Sequence, residues 1–255
     1  MKVSQIVFSP TGGTEKIAEV LTEAWGLPVT KIDLSNAETD YSSIRLEKDD
    51  IAVIAVPSYG GRVPGLAAQR ISGIHGDHTP CVIVCVYGNR AYEDTLVELN
   101  DVAEQSGFKV IAAIAAVAEH SIMHQYAAGR PDTEDKIELN SFAKKILEKI
   151  NSDFTKFPAL QIPGNRPYKK AGGAALVPKA GNDCTNCGLC AKQCPAQAIS
   201  KENLKTADSK KCISCMRCVA QCPHSARKVN GAMVSVAALA IKKACSVRKG
   251  NELYI

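Results

Sequence analysis

Eleven cysteines stand in a chain of 255 residues, and eight of them fall between Cys184 and Cys222. They form a repeat. Cys184, Cys187, Cys190 and Cys194, followed by Pro195, recur with a displacement of 28 as Cys212, Cys215, Cys218 and Cys222, followed by Pro223. Two residues between cysteines let one short loop present three thiolates to three irons of an iron–sulfur cube, and the fourth iron then needs a thiolate from elsewhere. A four-cysteine zinc site usually draws two close pairs from separated segments, a poorer match to three cysteines in one tight run. Arg217 occupies the place that Leu189 has in the first repeat. A cation there is expected to favour the reduced state of the neighbouring cluster, so the two sites need not be equal. Cys81 and Cys85 share one face of an apolar run and read as core thiols.

A second chemical feature lies near residue 10. Ser9-Pro10-Thr11-Gly12-Gly13-Thr14 follows a β-rich run and opens a helical pattern. Free N–H groups and the positive helix end make such a loop an anion site, and its glycines let backbone come close. The loop has no lysine and no GxGxxG pattern, so neither a Walker A nor a dinucleotide fingerprint is present. Three hydroxyls without a cation suit a terminal phosphomonoester such as that of FMN. Two further loops, Pro57-Ser58-Tyr59-Gly60-Gly61-Arg62 and Tyr87-Gly88-Asn89-Arg90-Ala91-Tyr92, offer aromatics to stack on a flavin and glycines to approach its edge. Arg62, Arg90 and Arg130 are candidates to surround the ring, where cations would favour its reduced anionic form. His120 and His124 follow the fifth strand pattern and are weaker candidates.

Elements to carry these loops can be read from the hydrophobic pattern. Val3–Phe8, Val29–Leu34, Ile51–Val56, Cys81–Val86 and Phe108–Val117 read as strands, the third and fourth as continuous apolar runs of the kind buried on both faces. Helical spacing intervenes at Thr14–Trp25, Gly65–Ile74 and Ala91–Gln105, and again at Thr133–Ile150. Such alternation predicts a doubly wound parallel sheet with its ligand at the topological switch point. Residues 152–180 break it: Pro158, Pro163, Pro167 and Pro178, with Gly164, Gly172 and Gly173, predict an extended linker. A further helix is expected at Ala232–Lys243.

Residues 182–230 resemble a bacterial 2[4Fe–4S] ferredoxin domain, and residues 1–150 resemble a flavodoxin through Thr11-Gly12-x-Thr14 and Tyr87-Gly88-Asn89-Arg90. The whole chain is similar to the flavodoxin–ferredoxin fusion proteins of anaerobes. The resemblance implies an α/β class, with a flavodoxin-like, doubly wound five-stranded parallel sheet in residues 1–151. It also implies a linker over 152–180 and a small α+β ferredoxin domain over 181–255. One [4Fe–4S] cluster would be held by Cys184, Cys187, Cys190 and Cys222, the other by Cys212, Cys215, Cys218 and Cys194, because in such domains the fourth cysteine of each run serves the other cluster. One FMN and two clusters would couple two-electron to one-electron transfer. A reductase of a small molecule, fed by the clusters, is the rival expectation.

Composition agrees with a folded chain: 45% of residues are apolar and 22% charged, outside the disordered range. The longest apolar run, Val110–Ala118, falls far short of the roughly 20 residues a membrane helix needs. No signal peptide is apparent, because Ile6–Phe8 is cut off by Ser9-Pro10, so a cytoplasmic location is expected. Net charge is −7 over residues 1–150 and +12 over 151–255, which invites the two parts to dock on each other. The basic half lacks an aromatic-interleaved stripe, so nucleic acid is not an expected partner. Redox proteins are the expected partners, no membrane is implicated, and a homodimer is compatible with the sequence.

Overall fold

The computed structural model describes residues 1–152, 159–172 and 176–255. Pro158 and Gly173 of the expected linker lie outside them. β1 (Val3–Val7), β2 (Val29–Asp33), β3 (Ile51–Pro57), β4 (Thr79–Tyr87) and β5 (Phe108–Val117) are all parallel, in the order β2-β1-β3-β4-β5. This is the flavodoxin-like strand order, which reverses between β1 and β3. Side chains alternate across each strand, so both faces are apolar and both need cover. Ala52, Ile54 and Val56 of β3 pack with α2 (Gly65–Ile71) and α3 (Thr95–Gln105) through Ala67, Ile71, Leu96 and Leu99. Ile51, Val53 and Ala55 face α1 (Gly13–Glu23) and α4 (Thr133–Ile150) through Ile17, Leu21, Leu139 and Ile146. Trp25 locks α1 to α4 by donating its Nε1–H to Ala143 O at 2.9 Å.

The structure adds a sixth strand that the sequence reading lacks. After the cysteine-rich segment the chain forms α5 (Gly231–Ile241) and returns as β6 (Glu252–Tyr254), antiparallel to β5 at the sheet edge. The stretch expected to finish the ferredoxin domain therefore completes the first domain. Polar anchors explain the return, since a buried backbone group must find a partner. Asn251 accepts from Val117 N at 2.9 Å and donates to Asp135 and Glu138. Arg130, paired with Asp135, also holds Lys249 O at 2.7 Å.

The described part of the linker lies along α3. Asp94, buried just ahead of that helix, accepts from Asn165 N at 2.9 Å and Lys169 N at 2.7 Å, while Arg166 clasps Asp101. The Lys169 N–H, with Asn165, holds the Asp94 carboxyl below the usual carboxylate range. The cysteine-rich unit is stapled by a two-residue antiparallel pair, Lys179–Ala180 with Arg227–Lys228. Charge from the basic half does meet the acidic half, but mainly through the linker and the tail: Arg166–Asp101, Lys169–Glu93 and Arg248–Asp132. The cysteine-rich unit contributes one longer pair, Arg217 to Asp33 at 3.6 Å. Among the described residues no helix is long and apolar enough to cross a membrane.

Candidate cofactor sites

A cavity of about 690 Å³ opens beyond the C-terminal ends of β1, β3 and β4. Its size suits a small-molecule or cofactor site, and it lies where the strand order reverses. One end is the loop between β1 and α1. Gly12 caps α1 with φ +89°, a left-handed conformation that favours glycine. In the first turn, where N–H groups have no helical acceptor, Glu15 N donates to Ser9 Oγ at 3.0 Å, and the helical ladder begins with Lys16 N to Gly12 O at 3.1 Å. Gly13 and Thr14 line the cavity with Ser9 and Thr11, so an anion there would meet backbone N–H groups and hydroxyls.

The walls come from the other two loops. Pro57, Ser58, Tyr59 and Gly60 line one side; Tyr87, Gly88 and Arg90 line another, joined by His120. Gly88 is required by a close approach: a Cβ there would sit 2.7 Å from His120 Cβ. His120 Nδ1 accepts the N–H groups of Ile122 and Met123, both at 3.2 Å, which leaves the proton of the neutral ring on Nε2. Burial pushes the His120 pKa down, favouring that neutral ring.

Several expected site residues are engaged elsewhere. Gly12, Gly61, Arg62, Asn89 and Tyr92 are not among the lining residues. Arg62 forms a bidentate pair with Glu98 at 2.7 and 2.8 Å and stacks over Tyr168, so its charge is spent on the linker side. Arg130 is buried against Asp135. Of the three arginines expected around a flavin, Arg90 alone reaches the cavity, and it pairs with Glu93 at 3.0 Å. Asn89 turns to the tail, donating to Cys245 O and Val247 O and accepting from Lys249 N. Tyr92 bonds Glu252 and Tyr254 of β6. Gly61 O accepts from Asp94 N at 3.1 Å, and a Cβ at Gly61 would strike Glu93. His124 pairs with Glu119 on the surface.

The eight motif cysteines gather into two quartets. Cys184, Cys187, Cys190 and Cys222 line one small cavity; Cys194, Cys212, Cys215 and Cys218 line a second. Tetrahedral zinc with bonds near 2.3 Å would draw its sulfurs to one point. Here each quartet lines a small apolar hollow. An all-thiol set around an apolar hollow fits a [4Fe–4S] cluster. The sulfurs are also prepared as acceptors. Ala198 N–H points at Cys194 Sγ and its counterpart Ala226 N–H at Cys222 Sγ, both at 3.3 Å. Arg217 does not line the second cavity and turns to Asp33, so the cation beside the thiols is a different residue, Arg227, whose Nη1 lies 3.7 Å from Cys190 Sγ.

The large cavity and the second quartet share a wall. Cys212 and Ile213 line both. Tyr59 lies at the same junction, where burial pushes its hydroxyl far up and Cys215 adds to the shift. Ala237, Ala240 and Ile241 of α5 and Leu176 also line the large cavity. Sequence reasoning missed these residues. Ile213 is hidden inside a cysteine run, and nothing in the apolar pattern of α5 names the surface it covers.

Residues 183–227 match the family of the 4Fe-4S dicluster domain. A flavodoxin of Streptococcus pneumoniae TIGR4 is similar at 22% identity, over 58% of this chain and 99% of that one, with a TM-score of 0.41. The flavodoxin of Megasphaera elsdenii, in its two-electron reduced form, is 18% identical over 56% and 98% of the two chains, TM-score 0.37. A flavodoxin from the Archaea is 12% identical over 60% and 100%, TM-score 0.44. No curated protein sequence matches the chain.

Proposed function

From a chain that joins a flavodoxin-like α/β domain to a 4Fe–4S dicluster domain, we propose an electron-transfer protein that holds one FMN and two [4Fe–4S] clusters and couples two-electron to one-electron transfer. A flavin takes up two electrons and releases them singly, whereas each cluster carries one. The observation that carries this reading is the wall shared by the large cavity and the second quartet, Cys212 and Ile213. The loop Ser9–Thr14 offers N–H groups and hydroxyls to a phosphate, and Tyr59 and Tyr87 offer aromatic walls. Cys184, Cys187, Cys190 and Cys222 would hold one cluster, and Cys194, Cys212, Cys215 and Cys218 the other. Redox proteins are the partners this arrangement calls for, and a cytoplasmic setting suits its thiols.

A second reading has one specific support. His120 presents a neutral Nε2–H on the cavity wall, where it could orient or protonate a small substrate reduced at the flavin. The deciding experiment is an anaerobic reductive titration of freshly purified protein. Flavin bleaching at one equivalent per chain beside a broad cluster absorption supports the carrier reading. Reoxidation by a small molecule that depends on His120 favours the reductase. A colourless protein, even after reconstitution with iron, sulfide and FMN, refutes both.

A further inference from the structure

The 28-residue displacement continues past the cysteine motifs, and there one buried pair of counterparts differs in charge. Ile199 is 5% exposed and packs with Cys194 and Ala198. Its counterpart is Arg227, only 2% exposed. The Arg227 guanidinium donates to Leu204 O at 2.6 Å and Pro178 O at 2.9 Å, yet its Nε is buried with no acceptor. Among the described residues no carboxylate forms an ion pair with it. Carbonyl oxygens satisfy hydrogen bonds but carry no net charge, and a cation withdrawn from water without a counter-charge is costly.

The missing counter-charge is available from both quartets at once. Arg227 Nη1 reaches Cys190 Sγ of the first quartet at 3.7 Å. Its two carbonyl acceptors place it against the second quartet as well: Pro178 lines that cavity, and Leu204, which lines the first, packs against the cluster of Cys194, Ala198 and Ile199. Ligating cysteines are thiolates, and a [4Fe–4S] core with four of them is anionic in either oxidation state. Building on the two-cluster reading above, we propose that Arg227 is a shared counter-charge for both cluster sites and raises both reduction potentials. Net charge and hydrogen bonds to sulfur are the levers that set such potentials, and here one buried residue supplies both. A cation serving one cluster would move one potential; this one moves two.

The test is an anaerobic redox titration of the full chain followed by electron paramagnetic resonance, comparing wild type with Arg227→Ile, Arg227→Gln and Arg227→Lys. Arg227→Ile installs the residue that the first repeat already carries, and Arg227→Gln keeps a donor while removing the charge. Both are expected to lower both midpoint potentials by at least tenfold in the one-electron equilibrium, which is 59 mV, while Arg227→Lys stays close to wild type. Unmoved potentials with both clusters retained, or a shift in one cluster only, would overturn the proposal. If the Ile and Gln variants lose clusters while Lys keeps them, the charge is needed to hold the clusters and the proposal stands. Loss in all three would overturn it in favour of packing. Failure of the underlying reading shows separately, as wild-type protein without the iron and labile sulfide of two clusters.

Discussion

Asn89 separates two accounts of the cavity. The loop Tyr87–Tyr92 suggests a flavin contact, whereas the structure makes Asn89 a clamp on the tail through bonds to Cys245 O at 3.1 Å, Val247 O at 2.9 Å and Lys249 N at 3.0 Å. Cys245 is buried, and Val247, at 70% exposed, can return its carbonyl to water. Two bonds at about 1 to 1.5 kcal/mol each, with little from the third, put the loss at about 2 to 3 kcal/mol. Asn89 also has φ +65°, so Asn89→Gly isolates the lost bonds, while Asn89→Ala adds about 1 kcal/mol of backbone strain. At 1.36 kcal/mol per factor of ten, undocking of the tail should rise about two orders of magnitude in Asn89→Gly and further in Asn89→Ala. Hydrogen exchange of the amides of residues 245–254 reads this directly. Because α5 lines the cavity, release of bound FMN should accelerate in step. Tail exchange at the wild-type rate, with FMN affinity collapsed, would refute the clamp and return Asn89 to the flavin.

Arg62→Ala should leave the flavin potentials at wild-type values and cost about 2 kcal/mol in stability, since it strands a mostly buried Glu98; denaturant unfolding and a potentiometric titration check the two halves. Asp94 carries a lowered pKa, so its stabilising contribution is full above the unfolded carboxylate value and fades as pH falls through the lower folded value. Amide exchange in residues 163–169 should quicken on acidification, and Asp94→Asn should raise the exchange at neutral pH and flatten that dependence. Cys194→Ser should remove the cluster signal that Cys215→Ser removes, leaving the one lost in Cys187→Ser. Loss of the same signal in Cys194→Ser and Cys187→Ser would contradict the pairing of quartets across the repeat.

What could be read in advance follows from how local each signal is. The parallel strands announce themselves because burial on both faces writes continuous apolar runs, as in Ile51–Pro57 and Thr79–Tyr87. The quartets announce themselves because the i, i+3, i+6 spacing is a local solution to holding a cube. Glu252–Tyr254 gives no such notice. It is three residues long, and it joins the sheet because Asn251 and Lys249 meet Asp135, Glu138, Arg130 and Asn89, all far away in sequence. Arg62 and Asn89 turn to partners outside the cavity for the same reason. A loop motif shows that a polar side chain is near a site, but its partner decides which way it turns, and Glu98 and the tail backbone are invisible in a motif. Arg227 is the converse case, since in sequence it looks like one more basic residue and only burial makes its charge informative.

The return of the tail also bears on how the cofactor sites stay together. The cysteine-rich unit is tied to the first domain on both sides, by the linker against Asp94 and Asp101 and by α5 and β6 against Asn89, Asp135 and Glu138. A unit on one tether samples a volume set by the tether length; fastening its second end confines it and raises the effective concentration of one face against the other. Direct contacts across the junction are few: Arg70 to Pro195 O at 2.7 Å, Arg217 to Asp33, and Ile213 against the core of the first domain. Such contacts alone resemble a transient interface, for which relative motion is the default. The two anchors are therefore what keeps Cys212 and Ile213 on the wall of the large cavity, and Asn251, bonded to Val117 N beside the cavity-lining Ala118, is part of that anchorage.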